Sequence, residues 1–214
     1  MQHANRNHLK RALSWIGLAV LSLSVTGETC TKDRDVQVTV GAEVVATFEA
    51  RGVTNAFDGE RQVNVETDAD IQQILDDNDF EGQVIAYIES AFVRVIRQDS
   101  NTSERTVTGS VTVRRQGDVA EQPLITGQSA EINDPALADW APVPLEASGV
   151  NLINEALQEY LLGIFQGGSP APPLLVFHAS GVSEPQGVES DFDWQVKVVM
   201  TLVGTKEITI IEPL

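Results

Sequence analysis

Apolar and polar residues alternate along most of this chain, which is the period of a half-buried β-strand. Val36, Val38 and Val40 alternate with Gln37 and Thr39, and Val44, Val45 and Phe48 follow Gly41. Asp58-Gly59 reads as a turn, after which Val63 and Val65 resume the pattern, so a first hairpin is expected here. Ala91, Val93 and Val95 share one face of a strand between Val84 and Arg97, with Phe92, Arg94 and Ile96 on the other. After the polar run 99–104, Val107, Gly109, Val111 and Val113 alternate with Thr and Ser, which predicts a long hairpin with the strand before it. Two shorter strands are expected at 123–125 and 129–132. Leu174–Phe177 is a further strand, leading into a loop over 180–190. Phe192, Trp194, Val196, Val198 and Met200 form the last long alternation, with Gly204-Thr205 as a turn before the final strand around Ile208 and Ile210.

The period changes in two places. Val150, Ile153, Leu157, Tyr160, Leu161, Ile164 and Phe165 recur at three and four, which predicts an amphipathic helix over 150–165 opened by Ser148 or Gly149. Gly167-Gly168 and prolines 170, 172 and 173 end it. Ile71, Ile74 and Leu75 predict a short helix over 68–77, with Thr67 as N-cap and Asp70 as its acidic partner. Between them, prolines 135, 142 and 144 interrupt the segment 134–147, where Trp140 reads as an anchor on the core. The expected fold is therefore mainly β, sandwich-like and mostly antiparallel, with one long and one short helix packed on the sheet.

The N-terminus follows a different grammar. Arg6, Lys10 and Arg11 precede a mostly apolar stretch from Ala12 to Val25, and no acidic residue occurs before Glu28. A basic head, a short apolar run and small residues after it are the parts of a secretory signal. The run is shorter than the roughly 20 apolar residues of a membrane span. Residues 1–27 are read as a signal, 28–35 as a polar tether and 36–214 as a single β-rich domain. Val25 and Gly27 suit a cleavage after Gly27. Cys30, the single cysteine, stands just beyond the apolar run, so the segment resembles the lipoprotein class of export signals. That resemblance implies acylation of Cys30 and a membrane anchor. It departs from the pattern at Gly27, Glu28 and Thr29, where an aliphatic and two small residues belong. A soluble secreted form stands as the other outcome.

Charge narrows the partners. After position 27 the chain has 11 basic and 31 acidic side chains, a formal charge of −20. Such a surface repels nucleic acid and anionic membrane headgroups. One cysteine forms no internal disulfide, so the fold depends on its core.

Candidate chemistry is sparse. His178 is the one histidine beyond the signal, and no Gly-x-Ser-x-Gly elbow accompanies it; it reads as a strand-end residue with an ordinary hydrogen bond. Asp77, Asp79 and Glu81, followed by Gly82, match the first part of a calcium loop, but Ile88 stands where the bidentate Glu belongs. Asp191 and Asp193 share a strand face and would line a cleft beside Trp194 in a carboxylate hydrolase. Leu157, Leu161 and Trp194 would line an apolar pocket under the 150–165 helix. Asn101-Thr102-Ser103 matches a glycosylation acceptor. No catalytic residue and no cofactor is assigned. The expected role is an exported, acidic, non-catalytic binding or structural protein of the bacterial periplasm, cell envelope or exterior. Its partner, a protein or an apolar ligand, is not named by any motif. A hydrophobic-ligand carrier and an exported hydrolase are the alternatives.

Overall fold

The computed structural model describes residues 29–98, 106–133, 135 and 137–213, with side chains described from Asp33 to Ile210. The signal 1–27, the Cys30 side chain and the acceptor at Asn101 lie outside these. Residues 33–208 form one compact unit; the described residues 29–32 and 209–213 belong to another.

The strands are β1 (Thr29–Val53), β2 (Ala56–Asn64), β3 (Glu81–Arg97), β4 (Thr106–Arg115), β5 (Gln122–Asn133), β6 (Ala141–Val143), β7 (Leu174–Glu184) and β8 (Ser190–Pro213). The helices are α1 (Val65–Asp68), α2 (Ile71–Asn78) and α3 (Ala147–Phe165). The sheet runs β1-β8-β3-β5-β4-β7-β2, with β6 also on β3. Pairings of β2 with β7, β4 with β5 and β7, and β3 with β6 and β8 are antiparallel. The short β3–β5 contact at Val95–Ile132 is parallel. The protein is thus mainly β and mostly antiparallel, with one curled sheet and helices packed on it.

Curling is visible in the core. Phe57 of β2 lies five strands from β8 in the sheet order, yet its ring packs on Phe192 at 5.5 Å and Trp194 at 5.6 Å. Alternation has been converted into two faces. Val107, Val111 and Val113 point inward at 0% exposure, with Thr108, Ser110 and Thr112 outward. Phe192, Trp194, Val196, Val198, Met200 and Leu202 are the inner row of β8.

Several expectations about pairing are corrected. β1 and β2 do not form a hairpin; β1 neighbours β8, and β2 pairs with β7. Asp58-Gly59 lies inside β2 and is no turn. β3 and β4 are not a hairpin either, because β5 lies between them. The strands at 123–125 and 129–132 are one strand, β5, bent at Gly127 with φ 57°. β7 continues through Gly181 to Glu184 rather than ending at a loop. Gly204-Thr205 is no turn: β8 runs through it, and a Cβ on Gly204 would come 2.5 Å from the Phe80 ring. Glycine there marks a close approach, a second reason for glycine in a strand.

The short helix is two. Asn64, not Thr67, caps α1 by accepting from the Glu66 amide at 3.1 Å, and Asp68 accepts from the Asn64 amide at 2.9 Å. Asp70 adopts the left-handed conformation, φ 51°, and separates α1 from α2. β6 contains Pro142, tolerated because β6 lies off the main strand path, with β3 as its one partner among the described residues. Trp140 beside it is held by Arg94, 4.3 Å over its ring, and by Lys197 at 5.1 Å.

α3 begins at Ala147, slightly before its expected start. It lies so close to β5 that a Cβ on Gly149 would come 2.6 Å from the Pro123 carbonyl oxygen. Ile153, Ala156, Leu157, Tyr160 and Leu161 are buried against the sheet. Its polar side does unexpected work at β3: Asn154 Oδ1 accepts from the Ile88 amide at 2.8 Å, and Gln158 Nε2 donates to the Val84 carbonyl at 3.4 Å. Backbone groups that a strand would otherwise pair are satisfied by a helix's amide side chains.

Candidate functional site

The outward face of β2, β7 and β4 holds the richest cluster of ionisable side chains around a histidine. His178 lies in the middle of β7, opposite Glu60 on β2 and opposite Thr112 on β4. Because side chains two apart share a strand face, Asp58 and Glu60 of β2 and Thr112 and Arg114 of β4 all project toward the same surface. Glu121, in the link into β5, completes the group.

Both ring nitrogens are engaged. His178 Nε2 lies 2.8 Å from Asp58 Oδ2, and Nδ1 lies 3.2 Å from Glu121 Oε2. The Thr112 hydroxyl donates to the same Glu121 oxygen. Arg114 spans the cluster, with Nη2 3.2 Å from Glu60 and Nε 3.8 Å from Glu121. The His178 side chain is 25% exposed, and Asp58 is 73% exposed.

Electrostatics follow from these contacts. The hydrogen bond to Asp58 raises the His178 pKa above its ordinary 6.5; burial opposes this, and Glu121 adds to it. Glu121 is held below the usual carboxylate value, first by the Thr112 hydroxyl and then by His178. Each stabilised form is the charged one. The arrangement is a six-residue polar clasp across β2, β7, β4 and the link into β5. It does not resemble a base poised for substrate, since each ring nitrogen already faces a carboxylate. The two acids also lie on opposite edges of the imidazole and do not converge. Among the described residues, no group of three His, Cys, Asp or Glu side chains is placed to hold a metal ion.

His178 is not the strand-end residue its sequence neighbours suggest, because β7 runs from Leu174 to Glu184 around it. Sequence reading missed Asp58, Glu121, Thr112 and Arg114 as its partners. Alternation places each on a polar face, but no local signal states which strands are neighbours; Asp58 and His178 are 120 positions apart.

The calcium candidates do not gather. Asp77 is still in α2 and accepts from Gln73 at 3.3 Å. Asp79 has left-handed backbone, φ 46°, and pairs with Lys206 at 3.1 Å, while Glu81 opens β3 opposite Thr205. A strand begins where a metal loop would continue. Asp191 and Asp193 do share a face, but Trp194 is on the other side of β8. Asp193 accepts from Arg51 and from Gln98, each at 2.8 Å, and Asp191 accepts from the Gly52 amide at 2.7 Å. They fasten β1 and the end of β3 to β8.

Leu157, Leu161 and Trp194 are each 0% exposed and belong to the hydrophobic core. Trp194 Nε1 is buried without a hydrogen-bond partner. The clefts beside α3 open elsewhere. One of about 370 Å³ is lined by Arg115, Ala156, Glu159, Tyr160, Pro170 and Pro172 among others. Arg115 is paired there with Glu159 at 2.6 and 3.2 Å. Among the described residues, no helix is long and apolar enough to cross a membrane.

No protein-family model matches this chain, and no curated protein does. Among solved structures, one of Desmodium yellow mottle tymovirus is 9% identical, with a TM-score of 0.32, covering 89% of this chain and 97% of that one. A structure of turnip yellow mosaic virus at 100 K is 8% identical with a TM-score of 0.30, covering 80% of this chain and 96% of that one. Likeness at this level carries no argument about function.

Proposed function

We propose that this chain is an exported, acidic, non-catalytic binding or structural protein of the cell envelope or exterior, either secreted in soluble form or attached to a membrane through Cys30. The observation that supports the non-catalytic reading is the clasp around His178. The one histidine beyond residue 27 has both ring nitrogens against carboxylates, so its polar chemistry is spent in joining strands. Leu157, Leu161 and Trp194, all fully buried within one core, weigh against ligand carriage beneath α3. The separate engagements of Asp191 and Asp193 weigh against a carboxylate hydrolase. Export rests on the basic head and apolar run before Glu28.

Two measurements test the proposal. Intact mass of the protein recovered from a bacterial host is expected to show loss of the first 27 residues or a diacylglyceryl adduct at Cys30. Retention of Met1 overturns export. A panel of ester, glycoside and peptide substrates is expected to give the same background rate with the native protein and with His178→Gln. Turnover that disappears in the variant overturns the non-catalytic reading.

A further inference from the structure

Among the described residues, β2 is the last strand in the sheet order, and its one paired neighbour is β7. Its outward side chains reach back over the sheet, Asp58 to His178 on β7 and Glu60 to Arg114 on β4. The groups that face the imidazole are Asp58 and Glu60 from β2, Thr112 and Arg114 from β4, and Glu121 from the link into β5. A neutral imidazole has one N–H and one bare lone pair. Both ring nitrogens of His178 face carboxylate oxygens within hydrogen-bond distance, so both contacts are made together only by the doubly protonated ring. Removing one proton sets a lone pair against a carboxylate.

The two contacts are not equally easy to release. Glu121 is held by the Thr112 hydroxyl and neighbours Arg114. Asp58 is 73% exposed and can turn to water. We propose that His178 is a proton-operated latch that clasps the edge strand β2 to β7 through Asp58 and releases it when the ring loses a proton. Glu121 keeps its place in both states. Phe57, next to Asp58, carries the change inward, because its buried ring rests on Phe192 and Trp194. Loosening β2 therefore loosens the aromatic core.

The direction of the pH response follows from the raised pKa of His178. Its folded value lies above the unfolded value of about 6.5. The latch is whole below about pH 6.5 and is lost as pH rises through the folded value.

The test is an NMR titration of the full chain, with His178 distinguished from His3 and His8 by its absence in His178→Gln. The His178 ring is expected to titrate above pH 6.5. Amide exchange in β2, corrected for its intrinsic rate, is expected to rise at least severalfold through the same midpoint. Amides of β3 at Ile85 and Ala86, opposite Val203 and Leu202 at the end of the β8 ladder away from Phe192 and Trp194, are expected not to follow. Asp58→Asn, a change at an exposed side chain, is expected to lower the midpoint and abolish the β2 response. If His178→Gln fails to fold, backbone assignment and Asp58→Asn carry the test. A ring that titrates at or below 6.5, β2 exchange indifferent to the titration, or an unchanged response in Asp58→Asn overturns the latch.

Discussion

Gly109 on β4 stands directly opposite Gly181 on β7, and aromatic rings fill the space their side chains would take. A Cβ on Gly109 would come 2.9 Å from the Trp194 ring and 3.1 Å from Phe57; one on Gly181 would meet the Thr108 carbonyl oxygen and the Phe57 ring. Overpacking of this kind costs about 1–3 kcal/mol. Gly109→Ala is expected within that range, because a ring has some room to shift. Gly181→Ala is expected at its upper end or beyond, because backbone yields less. Urea unfolding should show lower midpoints with unchanged slope. Native stability in Gly181→Ala would show that the two strands are not packed this closely.

The helix–strand contact at Asn154 makes a second prediction. Asn154→Leu removes the acceptor for the Ile88 amide, in a residue only 7% exposed. An orphaned buried donor costs about 1–3 kcal/mol. Exchange of the Ile88 amide should accelerate more than that of Tyr87, its neighbour on the strand. Equal protection in both would rule out the contact.

Glu121 governs the acid side. Its folded pKa is lowered, so its contribution is full above about pH 4.5, the ordinary value, and fades as pH falls through the folded one. The Thr112 hydroxyl is the largest cause, so Thr112→Val is expected to move the acid unfolding limb to higher pH. A limb that stays in place would show that the hydroxyl does not stabilise the charged carboxylate.

Tyr160 governs the alkaline side. Burial, then the Glu66 charge and a hydrogen bond to it, push its pKa up to about 12. The folded value exceeds the unfolded one of about 10. Its contribution is therefore full below pH 10 and lost as pH rises through about 12. Phenolate absorbance from Tyr160, assigned by difference from Tyr160→Phe, should rise only near that pH or on unfolding. Ionisation near pH 10 in the folded protein would contradict the burial of this ring.

Leu157→Ala probes the filled core. Leu157 is 0% exposed, and a cavity at such a site costs about 2–5 kcal/mol. The variant is expected to unfold at lower urea and to gain affinity for a small apolar probe that the native protein does not bind. Saturable probe binding by the native protein would instead favour a carrier.

Much of the fold was legible because periodicity is local. The stripe from Val150 to Phe165 located α3, and the alternations in 84–97, 107–113 and 192–200 located β3, β4 and most of β8. What failed was everything that depends on which strands meet. Val36–Phe48 and Val63 looked like partners because they are near in sequence, but β8 and β7 claim them. Gly181 and Gly204 read as a loop and a turn, because a glycine with a ring packed upon it looks the same in sequence as one chosen for its φ. The clasp was invisible for the same reason as the pairing: Asp58, Thr112, Glu121 and His178 come from four places in the chain, each an ordinary outward polar residue until the register aligns them.

The amide side chains of α3 have a further consequence for life in a crowded solution. A central strand with bare backbone groups is a template on which a second chain can add its own strand. Along Val84–Ile88 that template is occupied by Asn154 and Gln158. Resistance to self-templating there rests on two uncharged side chains rather than on the protein's large negative charge, and so it would persist at salt concentrations that screen the charge away.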